Sequence, residues 1–107
     1  MVAVHLLKAV NYWSDIGLGD FGLHYIRDKE KREVDFVVVK DGEPWFLVED
    51  KKSSNTNITS ALHRFHAKLG TQHAFQVAQE MDFINKNCFD ESRPIIVPAQ
   101  TLLSQLI

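Results

Sequence analysis

The stretch REVDFVVVKDGEPWFLVEDK, residues 32–51, carries the clearest indication of the fold. Residues 32–40 and 45–48 are rich in Val, Phe and Trp, which predicts two strands, because β-branched and aromatic side chains fit a pleated sheet. Asp41-Gly42 lies between them and is a strong hairpin signal, since both residue types accept the positive φ of a tight turn. The stretch therefore predicts an antiparallel hairpin.

The length of the hairpin turn decides which side chains share a face. A two-residue loop at the Asp-Gly pair would set Asp35 opposite Val48 and place Asp35 and Glu49 on opposite faces. A loop one residue longer, with a bulge, sets Glu33 opposite Glu49 and Asp35 diagonal to it. The longer loop is favoured because it gathers apolar residues on one face. These are Val34, Phe36, Val38, Pro44, Phe46 and Val48.

Charged residues collect at the far end of the other face. They are Glu33, Asp35, Glu49 and Lys51. Like charges across a strand pair repel, and partial burial raises the cost, so a divalent cation would relieve it. Carboxylate oxygens suit Mg²⁺, which also accepts phosphate oxygens, and Lys51 would orient or help deprotonate a metal-bound water. The structural alternative is that these charges simply cluster where strands end and meet solvent.

The flanking sequence adds helices and strands whose order predicts a mixed α/β sheet domain. Helical spacing of apolar residues and the cap residues Thr59 and Gly70 predict helices, and short apolar or alternating runs predict strands. The predicted elements are a helix at 2–16, a strand at 21–27, the hairpin, a helix at 60–69, strands at 74–77 and 94–97, and a short helix at 101–107. Between them we expect a charged turn at 28–32 and a polar loop at 53–57.

Composition excludes several classes of protein. The chain has 107 residues, 45% hydrophobic and 24% charged, which is typical of a globular domain and not of a disordered chain. Its 12 Lys+Arg and 14 Asp+Glu give a net charge of −2, so any contact with nucleic acid has to come from a local basic patch. One cysteine allows no intrachain disulfide, and no apolar run approaches the roughly 18 residues of a membrane span. These features favour a cytoplasmic protein.

A motif on the hairpin resembles a known superfamily. Asp35, followed by Glu49-x-Lys51 on the next strand, is similar to the PD-(D/E)xK, or restriction-endonuclease-like, nucleases. The predicted order agrees with the core of that fold, which has a helix, three strands with a hairpin, a helix and further strands in a mixed sheet.

A closer resemblance covers nearly the whole chain. It is to the C-terminal domain of unknown function in a group of bacterial and archaeal AAA-type ATPases. The segments that carry it are Leu6-Leu7-Lys8, Tyr25-x-Arg27-Asp28-Lys29, Arg32-Glu33-Val34-Asp35-Phe36, Lys68-Leu69-Gly70, Ala74-Phe75-Gln76-Val77 and Val97-Pro98-Ala99. The resemblance implies a nuclease-like domain over residues 1–107 that is normally attached to an ATPase.

The resemblance also implies roles for single residues. Asp35 and Glu49 would bind the metal, the backbone carbonyl of Asp50 would be a further ligand, and Lys51 would be the motif lysine. The implied cofactor is Mg²⁺ or Mn²⁺. Glu33 matches the pattern too, in an assisting or a solvated, salt-bridging role.

Two departures from the pattern favour a weak or inactive site. The superfamily often has a supporting glutamate on its first helix, which here would fall before Met1, so we expect the chain to lack upstream residues of the family domain. The residue between Glu49 and Lys51 is usually apolar because it faces the core, and here it is Asp50. An uncompensated carboxylate on that face would cost on the order of several kcal/mol or cause local fraying.

Other polar residues give weaker signals. The candidates for contacts to phosphate are Lys52, Arg64 and Lys68. His63 and His66 have the spacing of a transition-metal pair, but no third ligand fits, so a solvated helix face is the better interpretation. Cys88 has no matched base or second thiol, so a nucleophilic role is not expected.

Three hypotheses for function remain open from sequence. The first is a metal-dependent nuclease that cleaves DNA by in-line attack of an activated water. The second is a catalytically degenerate nuclease-fold module that binds DNA or protein, and the third is a truncated product without an independent role. The expected partners are DNA, an attached ATPase module and a second copy of the chain, since missing upstream residues would leave apolar surface exposed. No membrane partner is expected.

Overall fold

The computed structural model describes residues 2–27, 33–52 and 57–106, and the side chains of Arg27 and Glu33 fall outside that description. The elements are α1 (Val2–Asp15), β1 (Phe21–Arg27), β2 (Glu33–Lys40), β3 (Glu43–Lys51), α2 (Ser60–Leu69), β4 (His73–Ala78), a 3₁₀ turn (Cys88–Asp90), β5 (Pro94–Pro98) and α3 (Ala99–Leu103). Their order confirms the predicted mixed α/β fold. The charged turn predicted at 28–32 and most of the loop predicted at 53–57 lie outside the described residues.

The five strands form one sheet in the order β1-β2-β3-β4-β5. Strands β1, β2 and β3 pair antiparallel, whereas β3, β4 and β5 pair parallel. The parallel half follows from α2, which carries the chain back to the start of the sheet before β4 begins. As a result, the ends of β3, β4 and β5 all lie at the same edge.

The helix ends follow local chemistry that the sequence predicts. The hydroxyl of Thr59 accepts a hydrogen bond from the Leu62 N–H at 3.2 Å and caps α2, and Gly70 ends that helix at a φ of 65°. The terminal helix differs from its prediction, because α3 begins at Ala99 directly after Pro98 and ends at Leu103. The φ of −64° at Pro98 already suits a helix start.

The hairpin turn is shorter than predicted. Lys40 pairs with Glu43, so the loop contains only Asp41 and Gly42, whose φ values are 52° and 84°. Positive φ at both loop residues is the pattern of a type I′ turn. The carboxylate of Asp41 also accepts the Asp20 N–H at 2.8 Å, which fixes the turn against the start of β1. The predicted three-residue loop is therefore wrong.

A β-bulge in β3 changes the pairing register a few residues after the turn. Val39 pairs with Pro44 and Val38 pairs with Phe46, so Trp45 is an extra residue on β3. The bulge shifts the register by one position for the rest of the strand pair. It also lets Trp45 and Phe46 join one aromatic cluster, with ring centroids 4.9 Å apart, although the predicted register placed them on opposite faces.

A second irregularity lies in β2 beside Asp35. Val37 pairs with His24 and Val34 pairs with Ile26, so β2 has one residue more than β1 in this interval. Val34 consequently packs on the α2 side of the sheet, together with Val37, and not on the apolar face that the even register predicts.

The sheet separates two apolar layers. The larger layer joins α1 and α3 to Phe46 and Phe75, both fully buried, and the smaller layer joins α2 to Leu47. After the bulge, Phe46, Leu47 and Val48 of β3 alternate between the layers, as the strand period requires. Within the part of the chain that is described, no helix is long and apolar enough to cross a membrane.

Candidate metal centre

The candidate site lies at the carboxyl end of β3, where the parallel half of the sheet begins. Glu49 and Lys51 are among the last three residues of that strand. Ligands of open α/β sheets usually bind beyond the carboxyl ends of the parallel strands, since the loops that follow the strands form a crevice there. The position of the predicted motif thus fits a binding site.

Glu49 is the buried member of the site. It is only 7% exposed, and its Oε2 accepts a hydrogen bond from the hydroxyl of Thr59 at 2.5 Å. Its Oε1 lies 3.6 Å from the Nζ of Lys51, whose side chain is 39% exposed. A buried carboxylate is costly unless it has partners, and Glu49 has a hydroxyl and an ammonium.

Asp35 reaches the same strand end from β2. Its Oδ2 accepts the backbone N–H of Asp50 at 2.7 Å. Because Phe36 pairs with Val48, the next residues along the two strands are Asp35 and Glu49. The predicted diagonal relation between them is therefore wrong. The bulge in β3 shifts the strand pairing, so that Asp35 and Glu49 are each adjacent to a residue of the same pair.

Asp50 has partners that the sequence did not reveal. Its carboxylate is half-buried, and both oxygens accept hydrogen bonds from the Nε2 of Gln79, at 2.7 and 2.8 Å. The expectation of an uncompensated carboxylate is wrong, because a side chain 29 residues away supplies the donor. β3 extends past Asp50 to Lys51, so the strand does not end at this position.

The donor set suits a hard cation with few protein ligands. Among residues 2–27, 33–52 and 57–106 there is no group of three or more His, Cys, Asp or Glu side chains that would hold a metal. Mg²⁺ takes one or two carboxylates and keeps several waters, so Asp35, Glu49 and the backbone carbonyl of Asp50 are the groups that would hold it here. A carboxylate oxygen that already accepts one hydrogen bond has a second lone pair for a metal.

A family model described as "Domain of unknown function (DUF4143)" matches residues 1–100. The chain belongs to this family. No significant match to a curated protein or to a solved structure was found. The description of DUF4143 names no activity, so a relationship to PD-(D/E)xK nucleases stays a prediction.

Two residues of this DUF4143 member have contacts near Glu49 that the sequence did not predict, Gln76 and Thr59. Gln76 is 1% exposed in the middle of β4, directly beside Glu49 in the strand register, and it bonds to the segment that starts α2. The missed signal was a glutamine inside the otherwise apolar run of β4, because a buried amide needs hydrogen-bond partners. Thr59 was assigned only a capping role.

The predicted phosphate contacts are all exposed. Lys52 follows β3, Arg64 lies one turn into α2, and Lys68 lies in the last turn. The site is at the start of α2, where Thr59 meets Glu49, so Lys68 is the farthest of the three along the helix. Arg64 thus lies nearer than Lys68 to the helix start at Thr59.

The two histidines of α2 differ in environment. His63 is exposed, as predicted. His66 is half-buried, with its Nδ1 2.7 Å from the hydroxyl of Thr71 and its Nε2 2.8 Å from the carbonyl of Ser92. Both ring nitrogens of His66 thus have partners, and its Nε2 connects α2 to the loop before β5. The predicted solvated face is correct for His63 and wrong for His66.

Cys88 is buried in the larger apolar layer. Burial raises the pKa of its thiol, because a low-dielectric surrounding disfavours the thiolate, although Gln105 and Lys86 act in the opposite direction. A raised pKa leaves less thiolate at neutral pH.

We therefore expect iodoacetamide to label Cys88 only after unfolding, as measured by mass spectrometry with and without urea. Rapid stoichiometric labelling of the native protein would contradict this burial.

Proposed function

We propose that this chain is a metal-dependent phosphodiesterase domain that acts on DNA. The proposed ligands of Mg²⁺ or Mn²⁺ are the carboxylates of Asp35 and Glu49 and the backbone carbonyl of Asp50. The observation that carries the proposal is the position of Glu49 at the carboxyl end of β3. Glu49 is buried, and the Lys51 ammonium lies 3.6 Å from its carboxylate. Asp35 and Glu49 are the residues next to the paired Phe36 and Val48 on β2 and β3. One cation beside two carboxylates leaves a local excess of negative charge, which favours a bound metal ion.

The residues of the site would divide the hydrolysis of a phosphodiester between them. A bound divalent ion supplies a Lewis acid for the phosphate oxygens and lowers the pKa of a bound water. Asp35 and Glu49 would fix the position of that ion. Lys51, partly exposed beside Glu49, would orient the attacking water through its ammonium, while the proton of that water passes to solvent as the phosphorus–oxygen bond to the water forms and the bond to the leaving sugar oxygen breaks. The leaving oxygen would take a proton from solvent.

Contacts to the DNA backbone would come from exposed cations around the site. Lys52 directly follows Lys51, and Arg64 lies on α2 one turn beyond the helix start. Contacts to phosphate position a nucleic acid without reading its sequence. The proposed activity is therefore directed at the backbone and needs no base-specific contact.

A second candidate function is a degenerate module of the same fold that binds DNA without cleaving it. The observation that favours it is that each carboxylate already has a partner within the chain. Asp35 bonds to the Asp50 N–H, Glu49 to the Thr59 hydroxyl, and Asp50 to Gln79. A metal site that has lost its ion can persist as such a hydrogen-bonded network.

Incubation of the purified chain with plasmid and branched DNA, with Mg²⁺ or Mn²⁺, separates the two functions. The proposal expects cleavage that a chelator stops and that Glu49→Gln abolishes. Glu43→Gln, at the exposed start of the same strand, is the matched control and should cleave as the wild type does. Absence of cleavage with either metal, together with a DNA gel shift that Arg64→Ala weakens, would establish the degenerate module instead.

A further inference from the structure

A buried amide lies beside the candidate metal ligand. Gln76 pairs in register with Glu49 across the parallel β3–β4 ladder, and 1% of its surface is exposed. Its direct neighbours on β4, Phe75 and Val77, are apolar and buried, so the amide is the polar exception among the buried residues of that strand. Burying an amide costs free energy unless its donors and acceptor are bonded, and a residue kept there against that cost has a specific use for its bonds.

The amide of Gln76 fastens the segment that leads into α2. Its Oε1 accepts the backbone N–H of Thr59 at 3.0 Å, and its Nε2 donates to the backbone carbonyl of Asn57 at 3.1 Å. One side chain thus satisfies a donor and an acceptor that lie two residues apart in the same segment. This pair of bonds sets the position of the Thr59 backbone relative to β4.

The hydroxyl of Thr59 links that segment to Glu49. It accepts the Leu62 N–H at 3.2 Å and bonds to the Oε2 of Glu49. An amide N–H can only donate, and an ionised carboxylate can only accept, so the hydroxyl proton points to Glu49. Capping α2 and holding Glu49 are consequently two functions of one hydroxyl group.

We propose that Gln76 and Thr59 are positioning residues that orient the Glu49 carboxylate, with Thr59 acting directly and Gln76 acting through Thr59. With Oε2 bonded to Thr59, Oε1 is the oxygen that lies 3.6 Å from the Nζ of Lys51. Hydrogen bonds behind a ligand fix its orientation and contribute to metal affinity. Metal binding at Glu49 is therefore coupled to the position of residues 57–59, which lead into α2. The metal part of this inference rests on the proposed function.

Two variants of Thr59 separate orientation of Glu49 from capping of the helix. Thr59→Ser keeps the hydroxyl and both bonds. Thr59→Gly removes the hydroxyl, but glycine is itself well accepted at the N-cap of a helix. Gln76→Met keeps the length of the side chain and removes its hydrogen bonds. Gln72→Met, at an exposed position just before β4, is the matched control for it.

Calorimetric titration with Mn²⁺ tests the effect on the metal. Thr59→Gly and Gln76→Met should each weaken binding about 10- to 100-fold, which is the usual effect of removing a hydrogen bond behind a metal ligand. Thr59→Ser and Gln72→Met should bind as the wild type does. If the wild type binds Mn²⁺ and Thr59→Gly binds it equally well, the positioning role is overturned while the proposed function stands.

Amide hydrogen exchange without metal tests the relay separately. In Gln76→Met the Thr59 N–H should exchange at least about tenfold faster than in the wild type, because its acceptor is gone, while amides of the α1 helix keep their rates. Unchanged exchange at Thr59 would overturn the relay. A wild type that binds no Mn²⁺ would overturn the proposed function and the coupling to metal, whatever the exchange rates show.

Discussion

Replacement of Lys51 by methionine is expected to lower metal-dependent DNA cleavage at least about 100-fold, because the variant loses the ammonium that orients the attacking water. Methionine keeps most of the length of the side chain and removes only the ammonium that lies 3.6 Å from Glu49. Affinity for Mg²⁺ should stay unchanged or become tighter, since a positive charge beside the ion is removed. The measurements are plasmid cleavage rates and calorimetric titration with the metal.

The control for this prediction is Lys8→Met, which removes an exposed lysine from α1 on the other side of the sheet. It should cleave at the rate of the wild type. Cleavage by Lys51→Met at the wild-type rate would remove the role assigned to the lysine. A loss of cleavage together with a loss of metal binding would show instead that Lys51 acts by holding Glu49 in place.

Truncation of Phe75 to alanine is expected to lower the free energy of unfolding by about 3–5 kcal/mol. Phe75 is fully buried in β4, with ring centroids 5.6 Å from Phe46 and 5.3 Å from Phe89. A chain of this size is stabilised by only about 5–15 kcal/mol, so the loss is a large part of the total. Urea unfolding followed by tryptophan fluorescence measures it.

Phe83→Ala is the matched control, because Phe83 is 54% exposed. It should change stability by no more than about 0.5 kcal/mol. Should Phe75→Ala fail to fold, Phe75→Leu gives a smaller loss of the same sign, since leucine fills much of the space. Equal stability of Phe75→Ala and Phe83→Ala would contradict the position of the core.

The features of the fold that the sequence predicts are local ones. The capping of α2 by Thr59 and its end at Gly70 depend on residues within one turn of the helix. The strands follow from short apolar and alternating runs in the same way. Such signals need no knowledge of what packs against them, and for this reason the element order was predictable.

The bulge at Trp45 was not predictable, because its cause is distant in the sequence. The Trp45 ring stacks on Phe89 at 5.6 Å and tilts against Trp13 at 5.7 Å, while Phe46 also contacts Phe89. Two successive residues of a regular strand point to opposite faces, so both rings enter one cluster only if the strand is irregular. Aromatic packing across the fold thus sets the register that brings Asp35 and Glu49 to neighbouring positions.

The candidate site also has a part that the sequence predicts and a part that it does not. Its charged members, Asp35, Glu49 and Lys51, were predictable from the motif and its spacing. The supporting residues were not, because Gln76 acts from β4 through Thr59, and Gln79, after β4, bonds to Asp50. A buried glutamine in an apolar strand was the one sequence signal for this second set.

Calorimetry and electron paramagnetic resonance with Mn²⁺ show whether Asp35 and Glu49 together hold one divalent ion. We expect one saturable site in the wild type at millimolar metal, lost in Asp35→Asn and in Glu49→Gln and kept in Glu43→Gln. Asparagine still accepts the Asp50 N–H, so Asp35→Asn removes the charge and not the hydrogen bond. A wild type without a saturable site, or variants that bind equally well, would show that these carboxylates do not form a metal site.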